Sequence, residues 1–305
     1  MKSRKKEMAG PGLKGQNDRV RLRELEFSSE NKLFESYAWA LFSFFLTSVV
    51  VLSGCVYCVS LVPPSQRPKT LPAEDSVLDG LESLAFFYYL LLLTSRLLLG
   101  DKTSLLDSLW ACNFAFMLFG FGIRLREPLI IGAAGCSVAI DQVMWYLDIL
   151  GFLVLGKFPL GVCKYLTWPE TPSIRRVTAT HHVWFMPLCF WVLCVYSSGP
   201  SIWSWAVSSV TCCLLGCMSR LLTPYEFVTR VKPGETENRR VIHLNINLCY
   251  SCWKDVNFVP AIRRYDLDVW YKYLPWYLSI WNLGNLVLFL VTMKIPYWAA
   301  TTAFR

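Results

Sequence analysis

From residue 38 onward the chain is a succession of apolar runs, each separated from the next by a short polar stretch. Seven runs stand out, at about 38–62, 79–99, 104–123, 128–155, 181–198, 201–219 and 273–295. A helix crossing a bilayer needs about 20 mostly apolar residues. A buried helix of a soluble domain keeps one polar face, and these runs have none. The pattern therefore predicts an all-α, polytopic membrane helix bundle of about seven transmembrane helices. Two runs are irregular: the fourth contains Asp141, Gln142 and Asp148, and the fifth contains Pro187. The chain divides into a basic arm (1–36), a six-span membrane core (37–219), a polar loop (220–272), and a last span with the C-terminus (273–305).

Composition supports this pattern. Hydrophobic residues make up 54% of the chain and charged residues only 17%, against about 25% charged in soluble domains. Ten of the twelve cysteines lie in or beside apolar runs, where cysteine behaves as a small hydrophobe, so free thiols are expected rather than a disulfide framework. The arm MKSRKKEMAGPGLKGQNDRVRLRELEF is too long before the first apolar run for a cleaved signal peptide, and its basic charge suits an anionic lipid surface. No internal repeat, glycine-rich phosphate loop or dinucleotide fingerprint occurs.

The basic residues give an orientation. With the N-terminus in the cytosol, 24 of the 30 lysines and arginines fall on the cytosolic side and 6 outside, in agreement with the positive-inside rule. An odd span count then puts the C-terminus outside, and the 156–180 linker is the segment on which this topology turns.

Ionisable groups inside spans cost about 2.5–3.5 kcal/mol to insert and mark functional sites by default. Candidates are Asp107 in the third run, Asp141 and Asp148 in the fourth, and the adjacent pair His181 and His182 opening the fifth. Only three histidines occur in the chain. At 1.5 Å per residue, Cys112 is expected roughly 12 Å from the cytosolic edge and Asp148 about 10 Å. The segment His243-Leu-Asn245-Ile-Asn247 is cytosolic on the same orientation and is placed to fold over that mouth. Glu82 starts its span from the opposite side.

Each candidate has a structural alternative. Neighbouring helical residues point about 100° apart, so one histidine is expected to face a site, with His182 preferred as the deeper. His181 then reads as an interfacial or capping residue. Cys112 taken by itself, among ten such cysteines, reads as packing, and Asp141 and Asp148 as inter-helix hydrogen-bond partners. His243 with Cys249-x-x-Cys252 lacks a fourth zinc ligand, so no metal or cofactor is expected.

The order of these motifs resembles a family of integral-membrane acyltransferases, typified by the human ether-phospholipid acyltransferase linked to ferroptosis and including bacterial YwaF-like proteins. Its Leu-Leu-Asn-Pro-Cys-His-like segment is similar to Leu105-Leu106-Asp107-Ser-Leu-Trp-Ala-Cys112-Asn113. Its histidine before a proline-containing span is similar to His181-His182-Val-Trp-Phe-Met-Pro187, and its asparagine-rich segment ending in cysteine to Leu244-Asn245-Ile-Asn247-Leu-Cys249. The likeness covers roughly 105–285. Beside Cys112 the family's proline and histidine are missing, and three extra residues separate it from Leu-Leu. A more distant resemblance is to androgen-induced hydrolases of fatty-acid esters, which use threonine as nucleophile; Thr178 and Thr180 lie outside the expected span.

The resemblance implies Cys112 and His182 as the catalytic pair. A thiol beside an imidazole base is a competent acyl nucleophile. Asp148 or Asp107 is expected to fix the histidine tautomer, and Asn245 or Asn247 to stabilise an oxyanion. His181, Asn113, Asp141 and Arg220 are expected around the substrate, a phospholipid or acyl-donor lipid, with the basic 220–272 loop holding its phosphate. The partners are thus the bilayer and lipid, with no nucleic acid. An endomembrane such as the endoplasmic reticulum is the default location. A transporter with an Asp141, Asp148 and Glu82 path, and a non-catalytic membrane organiser, are the alternatives.

Overall fold

The computed structural model describes residues 36–98, 102–169, 171–230, 239–252 and 270–303. The basic arm, most of the second half of the polar loop and the extreme C-terminus lie outside the described residues.

Helices form wherever an apolar run was read, but their bounds differ in ways that matter for the site. They are α1 Tyr37–Leu61, α2 Ser76–Leu98, α3 Ala111–Arg124, α4 Pro128–Ser137, α5 Ala139–Leu155, α6 Ser173–Ala179, α7 His181–Tyr196, α8 Ile202–Leu222, α9 Trp270–Phe289 and α10 Ile295–Ala303. A π-turn over Leu290–Lys294 joins α9 to α10. Five helices among the described residues are long and apolar enough to span a membrane, α6 with α7 counting as one, and the bent pair α4 and α5 makes a sixth. The third run yields an α-helix of only 14 residues, preceded by a 3-10 segment at Lys102–Leu109. This is a multi-pass membrane helix bundle. One antiparallel hairpin, β1 Glu226–Arg230 with β2 Arg239–His243, departs from the helical pattern.

The side chains sort as a bilayer demands. Along α1 the inward residues are small or polar, Ala40, Ser43, Thr47, Val51, Cys55 and Val59, while Phe45, Val49, Tyr57 and Leu61 face outward. Lipid is as apolar as leucine, so helices associate through close packing of small residues and interhelical hydrogen bonds rather than by hiding oil from water. Cys55 Sγ meets Thr211 Oγ1 of α8 at 3.1 Å in such a contact.

The centre of the bundle is α4, PLIIGAAGCS, all ten residues of which are buried. Its small residues permit close crossings: a Cβ on Gly132 would fall 2.2 Å from Ser204 Oγ of α8. Pro128 opens α4 at the position where a missing amide costs nothing, and the Glu127 side chain accepts from Leu129 N at 3.1 Å.

The fourth run is therefore two helices rather than one straight span. The break is at Val138 (φ −112°, ψ 8°), and the pair bends by 45°. Backbone groups freed inside a membrane must find partners in the protein. Asn285 of α9, fully buried, supplies them: its Oδ1 accepts from Ile140 N at 3.0 Å and its Nδ2 donates to Ser137 O at 3.2 Å.

Candidate active site

Three interruptions in the helices deliver the functional groups to one place. Trp110 (φ −57°, ψ 134°) breaks the third run, so Cys112 is the second residue of α3. Val138 breaks the fourth, so Asp141 stands in the first turn of α5. Thr180 joins α6 to α7, so His181 and His182 are the first two residues of α7. The N-terminal turn of a helix favours negative charge, which suits a carboxylate or a developing thiolate at the first two positions.

The sulfur of Cys112 and one ring nitrogen each of His181 and His182 all lie within 4.8 Å of one another. All three residues, with Asp141, line a cavity of about 400 Å³. Asp141 Oδ2 is 3.1 Å from His182 Nε2. Both histidines are buried, 2% and 6% exposed, so neither is a lip residue. Span five begins at Ser173 because α6 and α7 together make one candidate span, Ser173–Tyr196, which carries the pair about two turns further in than the apolar run alone suggested.

The expectation that one histidine faces the site is overturned. Each ring folds back along its helix to the carbonyl three residues earlier: His181 Nδ1 to Thr178 O at 2.6 Å and His182 Nδ1 to Ala179 O at 2.9 Å. Bent back in the same way, the rings stack with centroids 4.0 Å apart. A carbonyl oxygen only accepts, so both Nδ1 atoms carry hydrogen and both Nε2 atoms turn to the cavity side. The two Nε2 atoms differ. That of His182 faces Asp141, while that of His181 is buried with no hydrogen-bond partner among the described residues. Trp145 stacks flat on His182 at 4.2 Å and Phe116 meets His181 edge-on at 5.2 Å.

Other expected roles need correction. Asp148 does not reach the histidines. Fully buried, it accepts from Leu160 N at 2.6 Å, Gly161 N at 3.2 Å and Cys163 N at 3.0 Å, fastening the loop after α5. Asp107 lies between two guanidinium groups, 3.5 Å from Arg96 Nε and 3.9 Å from Arg175 Nη2. Asp141, expected only near the substrate, is the carboxylate that meets the imidazole.

Asn245 and Asn247 are not free to bind an oxyanion. Asn245 donates to Ser251 O at 2.7 Å and accepts from Tyr250 N at 3.0 Å. Asn247 accepts from Ala111 N at 2.7 Å and donates to Leu109 O at 2.8 Å and Ser219 Oγ at 2.9 Å. It holds both ends of the Trp110 break and so positions Cys112 from a distant part of the chain. Both asparagines sit in the left-handed region (φ 35° and 53°), which asparagine tolerates better than most residues.

Asn113 lines the cavity, but its Nδ2 donates to Asp107 O at 2.8 Å. Arg220 lies over the Tyr250 ring at 3.8 Å and donates to Cys249 O at 3.4 Å, away from the cavity lining. The side chain of His243 lies outside the described ones. Burial pushes the Cys249 thiol up to about 12, which makes it a packing group, and all twelve cysteines are free. Thr178 and Thr180 hydroxyls are bonded to backbone carbonyls of their own helix, Ile174 O at 2.8 Å and Val177 O at 2.7 Å. Glu82 pairs with Arg124 at 3.7 Å, far from the cavity lining.

Sequence reasoning missed Arg96, Arg175, Trp145 and Tyr165 as cavity residues. The signal for Arg96 was present, since an arginine at the end of an apolar run is costly unless paired.

Comparison with family models, curated proteins and solved structures finds no match to this chain.

Proposed function

We propose that this protein is a membrane-embedded enzyme of acyl transfer, which moves or releases the acyl chains of lipid esters by way of Cys112. The observation that carries the reading is the convergence of the Cys112 sulfur with two imidazoles and one carboxylate on a cavity inside a membrane bundle. The same motif order underlies the resemblance to the integral-membrane acyltransferases, and the orientation by basic charge puts the cavity at the cytosolic side.

The chemistry divides among the residues by hydrogen-bond stereochemistry. Nε2 of His181, which no protein group occupies, accepts the thiol proton as the sulfur attacks the ester carbonyl. A carbon–sulfur bond forms, the ester carbon–oxygen bond breaks, and the departing alkoxide takes a proton from the His182–Asp141 pair. The resulting thioester passes its acyl group to a second alcohol, or to water, whose proton goes to the His182–Asp141 pair as the carbon–sulfur bond breaks and the departing sulfur takes back its proton from His181. Separations of up to 4.8 Å suit this role, because contacts between nucleophile and base are looser before substrate binds. The acidic residues of the alternative transport reading are otherwise engaged: Glu82 with Arg124 and Asp148 with three backbone amides.

One observation favours a second reading. Two histidines whose Nδ1–H groups bond backbone carbonyls, clustered with a thiol so that one ligand atom of each lies within 4.8 Å of the others, are oriented as metal-ligating histidines usually are. Zinc bound there would turn the site into a metal-assisted hydrolase.

The test expresses C112A, H181A and H182A separately in cells lacking the protein, with phospholipid acyl chains profiled by mass spectrometry. Failure of all three to restore the wild-type profile is expected. Full restoration by C112A sinks the thiol mechanism. Stoichiometric zinc in the purified wild type, lost in H181A, selects the second reading.

A further inference from the structure

In the cavity wall, two arginines share one carboxylate. Arg96, in the last turn of α2, is 8% exposed and lines the cavity. Its Nε stands 3.5 Å from Asp107 Oδ2 without hydrogen-bond geometry, and both Nε and Nη1 are buried with no hydrogen-bond partner among the described residues. Arg175 of α6 approaches the same oxygen to 3.9 Å and lies 5.5 Å over the Tyr165 ring. Arg175, Asp107 and Tyr165 line the cavity too.

This part of the wall therefore carries two positive charges against one negative, with donors unused. A buried guanidinium with idle N–H groups is expensive, and the arrangement is stable only if something else accepts from it. A guanidinium fork matches the oxygens of a phosphate. Much of the wall is apolar and aromatic, with Trp110, Met144, Trp145 and Leu278, so the ligand has an apolar part as well. Arg96 and Arg175 line the same cavity as His181 and Cys112.

The geometry points to a phosphate subsite formed by Arg96 and Arg175, which makes the substrate of the Cys112 site a phosphate-bearing lipid. The inference rests on the acyl-transfer reading for its context but not for its test. The phosphate holds the head group at the arginines, and the ester, a few bonds away, reaches the sulfur. Asp107 keeps the two guanidinium groups from separating when no ligand is present.

The experiment measures binding rather than turnover. Full-length protein in nanodiscs of neutral lipid is titrated with a lysophosphatidic acid, with the corresponding monoacylglycerol, and with inorganic phosphate. The proteins are wild type, R175Q, R96Q and C112A. Wild type is expected to bind the lysophosphatidic acid well above the monoacylglycerol, and R96Q and R175Q each to weaken it about tenfold or more. Arg175 is half exposed, so R175Q keeps the test valid if R96Q fails to fold. C112A is expected to bind like wild type. Equal binding of the phosphate-bearing and phosphate-free lipids, or undiminished binding by R175Q, overturns the subsite. Inorganic phosphate binding as well as the lipid assigns the arginines to free phosphate and overturns the lipid assignment. A C112A protein that binds normally but restores the lipid profile removes the acyl-transfer reading and leaves the subsite standing.

Discussion

Asp141 and Asp148 lie seven residues apart on α5, and the structure assigns them opposite duties that a pair of isosteric substitutions separates. In D148N the amide has one carbonyl oxygen where the carboxylate had two. That oxygen keeps Leu160 N and Gly161 N as neutral bonds, while the new NH2 group faces Cys163 N, another donor. Bonds to a charged acceptor contribute about 1.5–3 kcal/mol and neutral ones about 1. The loss is therefore about 1 kcal/mol on each retained bond and about 2 on the third, near 4 kcal/mol altogether. That corresponds to a melting temperature roughly 10 °C lower. D141N weakens one contact of a partly exposed side chain, 28% accessible, to a neutral hydrogen bond and is expected to cost about 1–2 kcal/mol, while activity falls about 10²–10⁴-fold with the loss of the acid–base partner. Thermal unfolding of both variants in detergent, beside the lipid profile, checks the assignment. A D148N protein as stable as wild type, or a D141N protein that melts lower than D148N, refutes it.

Other outcomes follow from the same geometry. N285L removes both bonds that heal the Val138 break from a fully buried site and is expected to destabilise by about 2–4 kcal/mol, read as a lower melting temperature. G132V pushes α4 off α8 at the Ser204 crossing and is expected to cost about 1–3 kcal/mol, read by the same measurement; a neutral G132V contradicts the tight crossing. N247A frees the Trp110 break and lowers activity before it lowers stability, with altered alkylation of Cys112 as the readout. At neutral pH, Cys249 is expected to react with a maleimide far more slowly than a free thiol in solution, since burial keeps it protonated.

The helices were legible because lipid-length apolar runs need no partner information, and α1, α2, α8 and α9 begin within three residues of the predicted edges. The breaks were not legible. Neither Trp110 nor Val138 is a proline or glycine, and both interruptions are held open by asparagines more than a hundred residues away, Asn247 and Asn285. The site suffered from the same blindness. Residues 141 and 148 are two turns apart on nearly the same face of α5, about 10 Å along its axis, so periodicity cannot say which one reaches His182. Motif order could bring Cys112 near His182, and the two do lie in one cluster. The part played by His181 could not be read that way, because the usual 100° rule assumes side chains that radiate from the helix, and these two bend back to carbonyls.

The row of Trp145, His182 and His181, closed edge-on by Phe116, constrains how protons travel. Imidazoles packed between Trp145 and Phe116 and tied at one edge have no room to turn over, so neither can pick up a proton on one side and deliver it on the other. Each exchanges only at the edge it already shows. On the proposed acyl-transfer mechanism, relay through this pair is carried by whatever molecule arrives between the rings and the sulfur, and the two substrates visit the same edge in succession rather than from opposite walls.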